Sequence, residues 1–581
     1  MIKEIIFLVL ILIQIINCEL IYSGQDASFN PDWWQKEIIY QIYVRSFKDS
    51  DGDGIGDLRG INEQVEHFSN IGVSAIWLTP IYQTPGVDFG YDISDFERID
   101  ETFGTMSDFD NLVVTYHRYG IKIILDFVPN HTSDKHVWFK KSVQRIAPYT
   151  DYYIWHDGIK NSEGKRMPPN NWLSVFNSGS AWKWNEQRNQ YYLHQFLEEQ
   201  PDLNFRNPNV VHEIRKALYF WLERGVDGFR LDSANFLFES KDLSNEPKAE
   251  NNTNMKDTDY YSLNHTYTID QPETYELHHT WRELLDEYKE KDGSTRLLVV
   301  ECYSPFNQTM KYYGNSTVPG AHFPFNFMLI INFNRQSNAN QLQTLVTKWI
   351  KNMPKGMWPN WVLGNHDNSR IASRFDPMLV DGLHMFQMLL PGTPVTYYGD
   401  ELGIRDTFVR WDQTIDKGAL NVGPERYEKF TRDPVRAPFP WNYSIHGGFS
   451  YGEKTWLPVS PDYWKDNVQS EEKYKSHLKT YKQLTDLRKK PTFTHGNLHV
   501  YTISDWVFGF SRSYTDHPTY VVLINLGSEM EIINLRHIRR SLPEILMVKV
   551  SSINSGFVTG NLVSREYITL RPKAALTLTT S

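Results

Sequence analysis

Two acidic side chains, each following a short apolar segment, could carry acid–base chemistry in this sequence. In the segment Gly228-Phe-Arg-Leu-Asp232, alternate residues of an extended strand point the same way, so Arg230 and Asp232 share one face. A guanidinium beside a carboxylate favours its ionised form and can orient it through hydrogen bonds. Asp232 is therefore a candidate nucleophile, with a structural ion pair as the alternative.

The second acidic side chain is Glu301, which ends the apolar run 297–300. A carboxyl group that emerges from apolar surroundings tends to have a raised pKa and can serve as an acid. Two adjacent strands ending in carboxyls could supply the nucleophile and the acid/base of glycoside hydrolysis. Asp367, beside His366, adds a third carboxyl near the end of a later strand, for which a surface turn is the alternative. The residues alone leave retention and inversion of configuration both open.

A repeated pattern of strands and helices would position these side chains. Eight apolar runs alternate with amphipathic stretches, at 38–44, 75–80, 122–128, 228–232, 297–301, 323–327, 361–365 and 394–398. Apolar runs of this length are typical of strands buried on both faces of a parallel sheet. Eight of them alternating with helices predict the α/β class and a (β/α)₈ TIM barrel, whose active sites lie at the C-terminal ends of the strands.

The pattern also predicts the domain boundaries. An aromatic-rich stretch with little periodicity follows the third strand and predicts an inserted subdomain, while short alternating runs near the end predict a C-terminal antiparallel β domain. The predicted parts are a signal peptide (1–18), the first part of the barrel (19–130), inserted subdomain B (131–205), the second part of the barrel (206–491) with a further insertion at about 403–450, and the β domain (492–581).

Composition excludes some functions. The 581 residues carry 60 basic and 70 acidic side chains, a net charge of −10, and no long Lys/Arg run, which argues against a nucleic-acid surface. Lys3 followed by the apolar run 5–16 predicts a secretory signal cleaved near Cys18, with an uncleaved anchor as the alternative. Cys302 is then the one remaining cysteine, and we expect it to be buried and inert rather than a reactive thiol.

Glycosylation sequons support a secreted, extracellular location. N-x-S/T sites without an intervening proline stand at Asn251, Asn264, Asn307, Asn315 and Asn442.

Four ordered motifs resemble the signature blocks of the α-amylase (glycoside hydrolase 13) family. They are Asp126-Phe-Val-Pro-Asn-His131, Gly228-Phe-Arg-Leu-Asp232, Val300-Glu301 and Asn365-His-Asp-Asn368, on the third, fourth, fifth and seventh predicted strands. Gln200-Pro-Asp-Leu-Asn204 resembles the fifth block in the form of the oligo-1,6-glucosidase and maltase branch. The resemblance covers nearly the whole mature chain, and the branch it resembles most is that of the insect α-glucosidases.

The resemblance implies roles for individual residues. Asp232 would be the nucleophile, Glu301 the acid/base and Asp367 the transition-state stabiliser, with Arg230 orienting Asp232 and retention of the α configuration. The other implied substrate-binding residues are Tyr91 as a stacking platform, His131 and His366 as hydrogen-bond partners of the sugar, and Asp88 with Arg432 as the pair that grips the non-reducing end. That pair implies exo-action on a terminal glucose. Asn130 belongs to the first block, so we expect its own sequon to be unused.

An acidic loop at 49–57 resembles the first part of a calcium-binding loop, with oxygen-bearing side chains at alternate positions and glycines between them. It is not an EF-hand, because Gly60 occupies the position of the bidentate glutamate. The family branch implies a structural Ca²⁺ held by Asp49, Asp51, Asp53, the carbonyl of Ile55 and Asp57. A bare acidic turn without metal is the alternative, and no organic cofactor is expected.

The function predicted is a secreted, exo-acting, retaining α-glucosidase (maltase) acting on maltose, sucrose and short maltooligosaccharides, with transglycosylation as a further activity. Ser233, which follows the nucleophile where valine accompanies α-1,6 activity in this branch, favours α-1,4 bonds or sucrose. The alternatives are a membrane-anchored heavy chain of an amino-acid transporter, a docking or receptor protein, and an endo-acting α-amylase. The expected partners are small oligosaccharides, with no nucleic acid and no membrane anchor, and the oligomeric state is left open.

Overall fold

Eight strands form one parallel sheet in the computed structural model, which describes residues 19–250, 255–536 and 538–580. The predicted signal peptide and Asn251 lie outside the described residues. Barrel strands 1 to 8 are Ile39–Ile42, Ala75–Leu78, Lys122–Phe127, Gly228–Leu231, Leu297–Val300, Phe323–Pro324, Asn360–Val362 and Thr393–Tyr397. Their spatial order is 6-5-4-3-2-1-8-7, so each strand pairs with its sequence neighbours and strand 8 returns to strand 1. The predicted barrel is confirmed.

A side chain completes the barrel between strands 6 and 7, which share no backbone ladder. The Asn360 Nδ2 donates to the carbonyl of Pro324 at 2.8 Å, and its Oδ1 accepts from the Asn326 N–H at 2.8 Å. Pro324 lacks an N–H group and cannot donate to a ladder. The amide of Asn360 therefore supplies the donor and acceptor that link the two strands.

Helices follow the strands, and local capping sets their boundaries. The helix Pro208–Glu223 has proline in its first turn, and Asn207 caps it. The helix His477–Arg488 begins at His477, because the Ser476 hydroxyl accepts from the Lys479 N–H and acts as its N-cap.

The α-helices are Trp33–Lys36, Val44–Phe47, Leu58–Glu63, Val65–Ile71, Met106–Arg118, Val137–Val143, Pro208–Glu223, Pro272–Asp292, Phe306–Lys311, Met328–Ile331, Ala339–Asn352, Ile371–Arg374, Val380–Leu389, Lys417–Val422, Tyr427–Phe430, Val468–Glu471, His477–Arg488 and Pro491–His495. Short 3₁₀ turns lie at Glu101–Phe103, Tyr149–Asp151, Tyr260–Ser262, Pro377–Leu379, Asp400–Leu402, Trp411–Gln413, Asp433–Arg436 and Ile445–Gly448. Within the described residues, no helix is long and apolar enough to span a bilayer.

The segment between barrel strand 3 and the helix Pro208–Glu223 forms a small antiparallel unit of its own. Trp182–Asn185, Gln190–Leu193 and Trp155–His156 make a three-stranded sheet, and Ile159–Lys160 pairs with Arg166–Met167. Its aromatic composition is explained by a separate apolar cluster of Trp172, Ala181, Trp182 and Leu193. A further two-stranded pairing joins Tyr82–Gln83 to Asp95–Ile99.

The C-terminal part is an antiparallel sheet of seven strands. Their order is Glu19–Tyr22, Asn497–Thr502, Val507–Ser513, Tyr520–Asn525, Ala575–Thr579, Ile545–Ser551 and Leu562–Ser564, and Glu531–Ile533 pairs separately with Ile568–Leu570. The edge strand Glu19–Tyr22 was expected in the barrel, but it pairs with Asn497–Thr502. The sequence did not predict this pairing because its partner lies hundreds of residues away and the strand is too short to show its own periodicity.

Candidate active site

A cavity of about 560 Å³ opens at the C-terminal ends of the barrel strands. Loops after strands 2, 3, 4, 5 and 7 and the insertion after strand 8 all contribute to its wall. The sequence-predicted residues that line it are Asp88, Tyr91, His131, Asp232, Glu301, His366, Asp367 and Arg432. Residues separated by more than 300 positions in the chain thus meet around one space.

Arg230, on barrel strand 4, joins the acidic groups at the base of this cavity. Its Nη1 lies 2.7 Å from Oδ1 of Asp232 and 2.7 Å from Oδ1 of Asp126. Its Nη2 lies 2.7 Å from Oε2 of Glu301. Arg230 is buried, so its charge is shielded little by solvent and offsets those of the surrounding carboxylates.

Burial and neighbouring charges move the pKa values of Glu301 and Asp126 away from their ordinary values. Burial raises the pKa of Glu301 well above its ordinary value, and the nearby carboxylates of Asp232 and Asp367 raise it further, against the opposing effect of Arg230. Burial likewise raises the pKa of Asp126 to about 7, despite Arg230. A carboxyl that stays protonated near neutral pH can donate a proton, which suits Glu301 as a general acid.

Asp367 has the opposite electrostatic environment. Its Oδ1 accepts from Nη2 of Arg436 at 2.7 Å and from Nη1 of Arg432 at 3.4 Å. Burial alone would raise the pKa of Asp367, but the adjacent His366 and the guanidinium groups of Arg436 and Arg432 bring it below its ordinary value. Asp367 therefore stays ionised, with about a quarter of its side chain exposed to the cavity.

The predicted Asp88–Arg432 pair is present and is anchored from behind. The Arg432 Nη2 donates to Oδ1 of Asp88 at 2.9 Å. Asp416, which is fully buried, accepts from the Arg432 backbone N–H at 2.7 Å, from Nε at 3.0 Å and from Nη2 at 2.7 Å. Burial raises the pKa of Asp88 to about 6, with Arg432 opposing the shift. Asp88 and Arg432 close one end of the cavity, and Asp416 holds Arg432 in place behind them.

Tyr91 and the two predicted histidines are held by contacts within the protein. The ring of Tyr91 stacks on His366 with centroids 5.4 Å apart and planes 5° apart, and its hydroxyl lies 2.7 Å from Nε2 of His366. Nδ1 of His366 lies 2.8 Å from Nε2 of Gln41. Both nitrogens of His366 therefore have protein partners, through which it orients Tyr91, and its binding to the sugar stays a prediction.

His131 lines the cavity, and its imidazole is neutral because burial lowers its pKa to about 4. Nε2 of His131 lies 3.1 Å from the Tyr91 carbonyl and 3.1 Å from Nε2 of Gln200. Gln200 also donates to Oδ2 of Asp88 at 3.1 Å. The fifth motif thus connects His131 to the closed end of the cavity.

Sequence reasoning did not find Asp416 or Arg436. It also did not find that Ser233 contacts both Asp232 and Glu301. Arg436 follows Arg432 by four residues in a short helical turn, a spacing that could have indicated a shared face. Asp416 has no comparable signal. The aromatic residues Phe176, Phe196, Phe236, Tyr261 and Tyr303, which also line the cavity, were hidden among many core aromatics.

The acidic loop brings three of its predicted ligands together. Carboxylate oxygens of Asp49, Asp51 and Asp57 lie within 4.8 Å of one another. Within the described part of the chain none of these three forms an ion pair, although loop N–H groups donate to Asp49 and Asp57. The Asp53 Oδ1 instead accepts from the Ile55 N–H at 2.7 Å. Converging carboxylates without a basic partner match the oxygen ligands that Ca²⁺ prefers.

Two glycines shape this loop. Gly52 has φ of 87° and Gly54 has φ of 93°, a conformation that residues with a Cβ rarely adopt. The backbone curls around Asp49, so that the N–H groups of Gly52 and Gly54 donate to its two oxygens at 2.7 and 2.8 Å. The loop is therefore built around the carboxylate of Asp49.

The remaining predicted positions differ in exposure. Asn264, Asn307 and Asn315 are exposed and Asn442 is half-buried, while Asn130 is 2% exposed. Occupancy of these sequons stays a prediction. Cys302 is buried and unpaired, as expected.

Paired carboxyls at the strand ends of a closed α/β barrel define the class of barrel glycoside hydrolases. Residues 41–496 match the family model of the α-amylase catalytic domain, and the chain belongs to that family. It is 44% identical to Maltase A1 of Drosophila melanogaster, over 92% of this chain and 94% of the relative. It is also 44% identical to the alpha-glucosidase of Apis mellifera, over 93% and 94% of the two chains. The chain is an α-glucosidase that hydrolyses glucosides, and this activity implies small saccharides as substrates.

Two further similarities test the alternatives. The crystal structure of the α-glucosyl transfer enzyme XgtA superposes with a TM-score of 0.83 at 32% identity, covering 95% of this chain and all of that one. A human amino acid transporter heavy chain is 40% identical over 90% of this chain and 74% of its own length. Overall similarity thus extends to both enzymes and a transporter subunit. In this chain the cavity gathers the paired carboxyls that glycoside hydrolysis requires.

Proposed function

We propose that this protein is a secreted, exo-acting, retaining α-glucosidase that releases terminal α-1,4-linked glucose from maltose, sucrose and short maltooligosaccharides. One observation carries the proposal. Asp232 and Glu301 contact the two ends of one guanidinium at the base of a cavity whose far end is closed by Asp88 and Arg432.

The first chemical step forms a glucosyl-enzyme. A carboxylate oxygen of Asp232 attacks the anomeric carbon while the glycosidic bond breaks, and Glu301 transfers its proton to the departing oxygen. Arg230 holds the attacking carboxylate through a hydrogen bond of 2.7 Å. Because its pKa is raised, the Glu301 carboxyl carries a proton at neutral pH and can donate it.

The second step returns both carboxyls to their starting states. Glu301, now ionised, accepts a proton from water as the water oxygen bonds to the anomeric carbon and the ester bond to Asp232 breaks. Two displacements at one carbon leave the α configuration unchanged. One guanidinium shared by both carboxyls favours the short separation of about 5 Å that retaining enzymes use, because inverting enzymes must leave room for a water molecule.

Asp367 stabilises the transition state in this scheme. Arg436 and Arg432 keep it ionised, so its charge is available to the positively polarised ring and to the sugar hydroxyls. Tyr91, fixed by His366 and Asp126, packs against the same sugar.

Exo-action follows from the closed end of the cavity. Arg432 is held by Asp416 and Asp88, so this end of the wall is fixed where a chain longer than the terminal glucose would have to pass. The aromatic residues Phe236 and Tyr303 also line the cavity, and their faces can pack against a second sugar. The small side chain of Ser233 supports α-1,4 linkages or sucrose. Similarity to a glucosyl transfer enzyme supports transfer to a sugar acceptor as a side reaction.

Secretion and calcium complete the proposal. The apolar run after Lys3 and the five sequons support export. Asp49, Asp51 and Asp57 would hold a structural Ca²⁺, with the Ile55 carbonyl and Asp53 as further oxygens.

Product analysis tests the proposal. Purified protein from the culture medium of expressing cells is incubated with maltose, to measure glucose release, and with maltopentaose, for which the anomer of the first glucose released is followed by proton NMR. We expect α-glucose as the first product and a stepwise shortening of the longer chain. Initial release of β-glucose would refute retention, internal cleavage of maltopentaose would refute exo-action, and retention of the protein in membranes would refute secretion.

A further inference from the structure

Ser233 bridges the two carboxyls that the proposed reaction uses. Its Oγ donates to Oδ2 of Asp232 at 2.7 Å, and its backbone N–H donates to Oε2 of Glu301 at 3.3 Å. Because Oδ1 of Asp232 already accepts from Arg230, each oxygen of Asp232 has its own donor. Ser233 is 7% exposed and lines the cavity.

The backbone holds Ser233 in an uncommon conformation to make these contacts. Its φ is 50°, in the left-handed region that residues other than glycine seldom adopt. The turn directs both the N–H and the hydroxyl of one residue toward the reacting carboxyls. Two contacts made from one turn at this position indicate a role beyond filling space.

We propose that Ser233 is a positioning residue whose hydroxyl assists the departure of Asp232 from the glucosyl-enzyme. This inference rests on the proposed double displacement. In the ester, the oxygens of Asp232 are weak acceptors; as the bond to the anomeric carbon breaks, the electron pair returns to Asp232 and negative charge develops. A hydrogen bond to an ionised acceptor is stronger than one to a neutral acceptor, so Ser233 favours this second step.

The same hydrogen bond works against the first step. Attack consumes the negative charge of Asp232, so a donor that stabilises the free carboxylate lowers its reactivity toward the substrate. Removing the hydroxyl should therefore slow hydrolysis of the intermediate without slowing its formation. In a two-step reaction a slower second step lowers kcat and KM together, so kcat/KM does not fall.

The experiment compares wild type with Ser233→Ala and Ser233→Gly on p-nitrophenyl α-glucoside, whose good leaving group makes the first step fast. Both variants lack the hydroxyl, but glycine tolerates the positive φ better, so agreement between them excludes backbone strain as the cause. For both we expect kcat and KM to fall by about tenfold, the factor for one charge-assisted hydrogen bond. We also expect a burst of nitrophenol and a glucosyl adduct detectable by intact mass spectrometry.

Each other outcome overturns the inference. A parallel loss of kcat and kcat/KM without adduct would mean that Ser233 only maintains the site, unchanged kinetics would mean that its hydroxyl is not used, and a defect in Ala alone would identify strain. The proposed function is tested separately by the wild type: if its initial product from this glucoside is β-glucose, the two-step scheme itself fails. If wild type yields α-glucose but neither variant accumulates adduct, only the role of Ser233 fails.

Discussion

Two groups of carboxylates in this molecule are built in opposite ways. At the strand ends, Asp232, Glu301 and Asp367 come from distant parts of the chain and contact arginines. In the loop 49–57, Asp49 and its neighbours are close in sequence, receive hydrogen bonds from the backbone and have no ion-pair partner within the described residues.

This difference in ion-pair partners suits the two groups of carboxylates to different functions. Burial raises the pKa of Glu301, whereas His366, Arg436 and Arg432 outweigh burial at Asp367, so that one carboxyl can carry a proton while the other stays ionised. Within the described residues no ion pair offsets the charge of Asp49, Asp51 and Asp57, and their mutual repulsion would be relieved by a cation. We therefore expect changes in the cavity to alter rates, and changes in the loop to alter stability.

Replacing the nucleophile should have the largest effect. Asp232→Asn keeps the size of the side chain but removes the charge that attacks the anomeric carbon. We expect the rate of glucose release from maltose to fall by several orders of magnitude, equivalent to about 5 kcal/mol or more in the barrier. Thermal melting of the variant serves as the control for folding. Glucose release equal to that of wild type would refute the assignment.

Replacing the acid should reduce the rate for some substrates more than for others, according to their leaving group. Glu301→Gln cannot protonate the departing sugar of maltose, and we expect a loss of about a thousandfold in kcat/KM. α-Glucosyl fluoride needs no proton to lose fluoride, so its first step should persist. Similar losses on both substrates would contradict the role of Glu301 as an acid.

The pH dependence of wild type sharpens the same assignment. Burial raises the pKa of Glu301, so the acid stays protonated above the ordinary range of glutamate. We expect kcat/KM for maltose to hold into that range and to fall as pH rises through the raised pKa. For α-glucosyl fluoride this alkaline decline should be absent; a decline at the same pH for both substrates would point to another group.

Loosening Arg432 should have an intermediate effect. Asp416→Asn removes the charge that holds the Arg432 guanidinium and backbone, and we expect kcat/KM for maltose to fall roughly 10- to 100-fold, as for a buried charged hydrogen bond. Asp412→Asn is the matched control, because Asp412 is exposed and its ion-pair partner among the described residues is the exposed Arg410. We expect the control to change kcat/KM by less than about twofold. Equal effects of the two changes would refute anchoring by Asp416.

The sequence predicted the barrel and most of the cavity because both depend on local signals. Apolar runs identified the strands, and Arg230 and Asp232 share a face through simple alternation. Asp416 could not be found in this way, since its role depends on how an irregular insertion folds over the barrel. The contacts of Ser233 depend on a positive φ, and the edge strand Glu19–Tyr22 depends on a partner far along the chain.

Calcium removal should have the smallest effect on rate and should act on stability. A chelator should lower the melting temperature by several degrees while kcat for maltose at 25 °C changes little, because the loop lies outside the cavity. A ligand present at a hundred times its Kd stabilises by about 2.7 kcal/mol, which sets the scale of the shift. A melting temperature that changes with neither chelator nor added Ca²⁺ would mean that the loop is a bare acidic turn.

Two variants of the loop distinguish ligands from turn-forming residues. Asp49→Asn should abolish the response of the melting temperature to Ca²⁺, because Asp49 lies at the centre of the converging carboxylates. Asp53→Asn should keep most of that response, because the Asp53 oxygen is bound to the Ile55 N–H and lies apart from the other three. The comparison uses the calcium-dependent shift rather than the melting temperature itself, since Asp49 also orders the loop without metal. Equal loss in both variants would mean that Asp53 turns inward when the cation binds.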